Sequence, residues 1–368
     1  MKKRPRVRDI GLVLGELPVG TYNSITDVPG VKVGHCTVSF GSGALVPGQG
    51  PARTGVTAIL PQAGNCFTRK LEAAAYVING FGKSIGLPQL QELGQLETPI
   101  LLTNTLNAPK VADALITYML QRNPEIGVST STINVVVGEC NDGYLNDIQG
   151  RHVQPEHVWQ ALESARSGVV PEGAVGAGTG MVTFGFKGGI GTASRLLPAE
   201  VGGFVVGVLV LSNFGSRRQL TIAGVPVGTR LVDYKEECPD DGSIMVIVAT
   251  DAPLKSRQLL RLAKRVPFGL ARTGSIASNG SGDFAIAFST NLGQPHSSQP
   301  GDLQEAALVE NGKLMSLLFQ ATVEAVEEAV LNSLFRATTV KGRDDRIVPA
   351  LPLDQTVALL QRYGRLKC

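Results

Sequence analysis

The sequence predicts helices packed in layers against extensive sheets, an α+β or α/β arrangement, on three observations. Short apolar runs that read as strands recur along the whole chain. Segments with a helical period are comparable in number but do not alternate strictly with them, as repeated βαβ units would. The 44 glycines punctuate the apolar runs without forming a repeat, which fits tight turns between short strands rather than collagen or a linker.

The elements follow in order. VKVGHCTV (31–38) and VTAILP (56–61) read as strands, and KLEAAAYVI (70–78) has the spacing of a helix. Then come strand TPILLTNT (98–105), helix KVADALITYMLQR (110–122), strand TINVVVGEC (132–140) and helix HVWQALESARSG (157–168). MVTFGF (181–186), GGFVVGVLVLSNFG (202–215) and IMVIVATD (244–251) read as strands, followed by helix KSRQLLRLAKRV (255–266). Strand DFAIAFST (283–290) precedes a long helix, KLMSLLFQATVEAVEEAVLNSLFRA (313–337). The least core-like segments, 39–53, 213–243 and 291–312, are too short and too weakly biased to divide the chain, so one domain over 1–368 is expected.

Composition narrows the function. With 43% hydrophobic residues the chain can bury a substantial core, and with 18% charged residues and a net charge of +3 it is a poor candidate for nucleic acid. No apolar run reaches the roughly 20 residues of a membrane helix, and MKKRPRVR is not followed by a signal core. The five cysteines (Cys36, Cys66, Cys140, Cys238, Cys368) are odd in number and form no C-x-x-C pair, which fits a reducing compartment. A cytoplasmic protein is therefore expected. The four histidines (His35, His152, His157, His296) supply a serine–histidine–acid triad poorly, and only His35 lies in an apolar strand.

Three motifs have simpler explanations. GFGKS (80–84) lacks the upstream glycine of a phosphate loop, since Val77 stands there. GAGTGMVTFGFKGGIGTASR (176–195) has dinucleotide-like glycines but leads into a strand instead of a helix, so a glycine hairpin lining a site is the better reading. The acidic cluster DYKEECPDDG (233–242) reads as a solvated insertion, not a metal site.

LARTGSIASNGSGDF (270–284) is different: small hydroxyl residues and glycines lead straight into a strand. At Gly274–Ser275 a sharply bent peptide would let the serine hydroxyl attack the glycine carbonyl, and glycine permits that bend. Hydrolysis of the resulting ester would leave Ser275 as a new N-terminus. Its α-amine, with a reference pKa of about 7.7–8.0, could then serve as general base for its own hydroxyl. On the late helix, Glu328 projects with Leu317, Ala321 and Ala325, while Glu327 points roughly 100° away.

SITDVPGVKVGHCTV, LLTNTLN, GECNDGYLND, GAVGAGTGMVTFGFKGGIGTASR, VLSNFG, the 270–290 stretch and FQATVEAVEEAVLNSL occur in this order. Together they resemble the aminopeptidase family that includes L-aminopeptidase/D-Ala-esterase-amidase and the β-peptidyl aminopeptidases, from about residue 8 to 340. The resemblance implies a four-layer αββα sandwich, similar to the N-terminal-nucleophile hydrolases but differently connected. It implies self-cleavage, here expected between Gly274 and Ser275 into 1–274 and 275–368, and a tetramer of cleaved units. Ser275 would be nucleophile and base, Asn213 the donor to the oxyanion, and Glu139 the holder of the substrate ammonium. The Glu327–Glu328 pair would supply an acid that orients the amine, with Glu328 favoured. Val326 departs from the hydroxyl residue usual before that pair. The expected activity is removal of N-terminal residues from short peptides, amides or esters, with no cofactor or metal. The alternatives are an amidase or esterase of small non-peptide substrates, a silent binding relative and, from the glycine run alone, a dinucleotide enzyme.

Overall fold

A computed structural model describes residues 4–231, 242–291 and 312–366. In chain order the strands are β1 (Lys32–Phe40), β2 (Ala52–Leu60), β3 (Leu71–Gly80), β4 (Gln95–Leu96), β5 (Ile100–Asn104), β6 (Val136–Cys140) and β7 (Val182–Thr183). They continue with β8 (Phe186–Lys187), β9 (Gly189–Leu196), β10 (Val205–Asn213), β11 (Ser243–Thr250), β12 (Gly282–Ser289), β13 (Val340–Lys341) and β14 (Ile347–Val348). The helices are α1 (Leu87–Glu92), α2 (Ala108–Arg122), α3 (Pro155–Glu163), α4 (Val227–Arg230), α5 (Ser256–Ala263), α6 (Val266–Arg272), α7 (Gly312–Arg336) and α8 (Leu353–Arg362).

Two sheets carry the architecture. One has the order β1-β2-β5-β6, the other β4-β3-β12-β11-β10-β9. Only the pairs β5/β6 and β11/β12 are parallel in these sheets. Central strands are apolar on both faces because both are covered. The pleat divides β11 between two cores: Ile244, Val246 and Val248 face α5–α7, while Met245, Ile247 and Ala249 face the other sheet. A third core lies between the smaller sheet and helices α2 and α3. The layers are helix, sheet, sheet, helix, so the chain is an α+β sandwich of the αββα kind.

Close approach of the outer layers depends on two glycines. A Cβ on Gly34 of β1 would lie 2.0 Å from the Ala161 carbonyl oxygen of α3, and one on Gly191 of β9 would lie 2.0 Å from that of Ala329 on α7. Both helices therefore sit directly on strand backbone.

Segment 70–78 is a strand, β3, and not the expected helix. Its alanines and leucine suit a helix locally, but β3 pairs along β12, sending Ala73 and Ala75 to the inter-sheet core and Tyr76 and Ile78 to the other face. The expected strand 181–186 is instead the hairpin β7–β8, turning at Phe184 (φ 49) and Gly185 (φ 66). The helix expected at 255–266 breaks after Ala263, and α6 begins again at Val266 with Pro267 in its first turn. β9 and α8 were not anticipated. Most of the acidic cluster at 233–242, His296, Cys238 and Cys368 lie outside the described residues.

Candidate active site

Several strand ends meet at one edge of the two sheets. β10 ends at Asn213 opposite Ser243, the first residue of β11, and Ser243 in turn lies beside Gly282, the first residue of β12. From the smaller sheet, the parallel pair β5/β6 ends here, with Glu139 opposite Thr103. A cavity of about 480 Å³ opens among these ends, lined by Glu139, Asn213, Ser243 and Gly280 among others. Its volume suits a small-molecule ligand.

Glu139 is buried at the cavity wall. One carboxylate oxygen accepts from the Lys83 backbone N–H at 2.7 Å, and the other accepts from the Thr105 hydroxyl. No cationic side chain pairs with it among the described residues. Gly82 makes this possible: a Cβ there would be 2.4 Å from the Phe284 ring and 3.2 Å from the Glu139 carboxylate. GFGKS, no phosphate loop, thus supplies a backbone donor to the acid. Only its glycines, beside a strand end, could have signalled this.

Asn213 is fixed at both ends of its amide. Its oxygen accepts from the Val182 N–H at 2.8 Å, and its nitrogen donates to the Asn141 carbonyl at 3.0 Å. The β7–β8 hairpin thereby joins the wall, and Val182 and Gly185 both line the cavity. The hairpin of the glycine-rich segment thus lines the cavity.

Ser275 is not brought to this cavity. Gly274 (φ 100) and Ser275 form the C-terminal cap of α6: the Gly274 N–H donates to the Ala271 carbonyl at 3.0 Å and the Ser275 N–H to that of Leu270 at 3.3 Å. This pair of bonds is a Schellman motif, whose left-handed position selects glycine without any chemistry. A Cβ on Gly274 would also lie 1.8 Å from the Gln219 carbonyl oxygen.

The second Gly–Ser pair of the same stretch, Gly280–Ser281, stands where β12 starts, and Gly280 lines the cavity. Asn79 on β3 gathers the loop by donating to the carbonyls of Ser278 (3.0 Å), Asn279 (3.1 Å) and Ser281 (2.5 Å). The buried Ser281 hydroxyl donates to Asp283 at 2.6 Å. Burial pushes the Asp283 carboxyl up to about 6, against hydrogen bonds from the Ser281 hydroxyl and the Ile244 backbone that hold it down. Ser281 and Asp283 went unnoticed in the sequence because the first Gly–Ser pair has the same local chemistry.

The α7 acids do not line the cavity either. Glu328 is fully buried and binds Arg195 (2.8 Å), Arg8 (2.8 Å) and the Asn23 amide. Burial raises its pKa, but Arg195, Arg8 and Asn23 outweigh it and hold Glu328 below the usual carboxylate range. Glu327 pairs with Arg272 at 3.2 Å, and its burial leaves it raised despite that partner. His35, half-buried in β1, is lowered to about 4 by desolvation and then by Arg166, and it bonds Thr57, away from the site.

Comparison with known proteins supports a peptidase. The profile of peptidase family S58 matches residues 23–348. β-Peptidyl aminopeptidase BapA of Sphingosinicella microcystinivorans is 41% identical over 98% of this chain and 93% of its own length. Among solved structures, the PH0078 protein of Pyrococcus horikoshii OT3 is 52% identical with a TM-score of 0.93, covering 98% of this chain and 100% of that one. L-Aminopeptidase D-Ala-esterase/amidase of Ochrobactrum anthropi, described as a prototype for the serine aminopeptidases and a variant of the Ntn hydrolase fold, is 38% identical. Its TM-score is 0.87, over 99% of this chain and 100% of that one. This chain belongs to peptidase family S58 and is a serine aminopeptidase on an Ntn-hydrolase-like sandwich.

Proposed function

We propose that the enzyme matures by cutting itself between Gly280 and Ser281, and that Ser281 is then its nucleophile. One observation carries the reading: Glu139, Asn213 and the Gly280 junction open on a single cavity, whereas Ser275 caps a helix elsewhere. In the intact chain the Ser281 hydroxyl attacks the Gly280 carbonyl and its proton passes to Asp283. Asp283 returns that proton to the nitrogen as the C–N bond breaks, giving an ester and the free Ser281 amine, and water hydrolyses the ester. The products are 1–280 and 281–368.

In the mature enzyme the Ser281 amine acts as general base for its own hydroxyl. Attack on the substrate carbonyl breaks its C–N bond, the leaving amine takes the proton held by the Ser281 amine, and water hydrolyses the resulting acyl-Ser281 ester. Asn213 donates to the developing oxyanion, a contact that supplies roughly 3–4 kcal/mol in comparable sites. Glu139, held by Lys83 N–H and Thr105, receives the substrate ammonium. The substrate class is the short peptide, amide or ester with a free N-terminus. Glu328, already neutralised by two arginines, takes a structural part in this scheme. A tetramer of cleaved units and a cytoplasmic location complete the reading, the latter favoured by the buried free thiols of Cys36, Cys66 and Cys140.

Denaturing intact-mass measurement tests the junction. Wild type is expected to give 1–280 and 281–368, Ser281→Ala a single inactive chain, and Ser275→Ala the same two-chain pattern with activity. Chains of 1–274 and 275–368 would return the nucleophile to Ser275.

A further inference from the structure

The wall of the same cavity also carries cations. Glu139 is the only carboxylate on its described wall, whereas Lys83, Arg343 and Arg346 are cations there. The Lys83 ammonium lies over the Phe81 ring, 4.5 Å from its centroid. The two arginines come from the turn between β13 and β14, and that turn is firmly built. Arg343 N–H donates to the Leu145 carbonyl at 2.9 Å, and Gly342 N–H donates to that of Arg346 at 2.9 Å. Its tip holds two consecutive left-handed residues, Asp344 (φ 55) and Asp345 (φ 56), neither of them glycine.

The turn's two acids do not neutralise the arginines closely: Asp345 pairs with Lys341 at 2.8 Å. Asp344 lies 3.9 Å from Arg343 Nε and 3.8 Å from Arg346 Nη2, beyond hydrogen-bond reach. Its other oxygen accepts from the Leu45 N–H at 2.8 Å. Arg343 Nε is buried and makes no hydrogen bond among the described residues. Arg346 stacks on the Tyr144 ring at 4.8 Å and donates to the Tyr144 carbonyl at 3.2 Å, so its guanidinium is held against the wall. A guanidinium that lines a cavity without a close carboxylate can offer its remaining N–H groups to a ligand acceptor there.

We propose that Arg343 and Arg346 bind the free C-terminal carboxylate of the substrate, so the preferred substrates are very short unblocked peptides, dipeptides above all. A dipeptide spans at most about 7 Å of backbone, short enough for one small cavity to hold both charged ends. Glu139 then takes the ammonium and the arginine pair takes the carboxylate, within the one cavity that Gly280 also lines. This rests on the aminopeptidase reading above.

The test uses the mature, self-cleaved enzyme with alanyl-leucine, its C-terminal carboxamide and an alanyl anilide. Wild type is expected to favour the acid over the carboxamide by at least about tenfold in kcat/KM, carried mainly by KM. Arg343→Gln and Arg346→Gln should each lower that ratio, the double variant should bring it near one, and Arg343→Lys should retain part of it. Intact mass confirms that each variant has processed itself. A wild-type ratio near one, or an unchanged ratio in the double variant, would overturn the carboxylate subsite. Cleavage of the anilide but of neither peptide would also overturn it while leaving the aminopeptidase reading standing. Failure on all three substrates would sink both.

Discussion

Glu139 and Glu328 are both buried carboxylates, and both drew notice in the sequence, yet they are held in opposite ways. Glu328 meets two guanidinium groups and an amide, so its charge is cancelled within the protein. Among the described residues Glu139 accepts only from a backbone N–H and a hydroxyl, and it faces a cavity. Hydrogen bonds satisfy the oxygens of such a carboxylate but leave its net charge to be met by something else. A buried acid that the protein neutralises fastens elements together. One left without a cation at a cavity wall is placed to receive a positive ligand.

The largest expected effect that could break this contrast is on stability. Glu328→Gln leaves Arg8 and part of Arg195 uncompensated and should cost about 3–5 kcal/mol, towards the lower end because Glu324 still binds Arg195 at 3.0 Å. Urea unfolding of the uncleaved Ser281→Ala background measures it. Glu139→Gln in that background should cost far less, and equal losses would erase the distinction. Next is Asn213→Ala, expected to lower kcat by about 10²–10³ with little change in KM. A loss wholly in KM would instead assign Asn213 to ground-state binding.

Glu139→Gln should lower kcat/KM for a free-amine peptide by about tenfold to a hundredfold, through loss of a charge-assisted contact. N-acetylating the peptide should cost at least as much on wild type and much less on the variant. Equal rates for free and acetylated peptides on wild type would leave a general amidase. The smallest effect concerns pH. Asp283 must be ionised to take the Ser281 proton, so self-cleavage should slow about tenfold per unit below its value of about 6 and level off above it. Timed intact-mass analysis of freshly translated chain reads this, and a flat profile between pH 5 and 7 would remove Asp283 from the step.

Much of this was legible in the sequence. The layered α+β class, the long late helix, and Asn213 and Glu139 at strand ends followed from apolar periodicity and family resemblance. What was hidden depended on distance along the chain. Nothing local distinguishes Gly274–Ser275 from Gly280–Ser281: the difference is that one closes α6 while the other starts β12 beside β11 and β3. Likewise Ala73, Ala74 and Ala75 favour a helix until β12 offers a partner along the segment. Arg8 and Arg195, which neutralise Glu328, lie more than 130 residues from it in sequence and could not have been paired with it by spacing.

β12 lies inside the six-stranded sheet, flanked by β3 and β11, and continues in sequence towards α7, the longest helix. A cut at its first residues therefore makes the newborn chain the owner of an interior strand and an outer-layer helix. Before the cut, refolding is a first-order event at any dilution. Under the proposed cleavage it would afterwards require two separate chains to meet, so recovery from denaturant should fall as the protein is diluted. The mature enzyme would then owe its persistence to slow unfolding, having surrendered the easy route back.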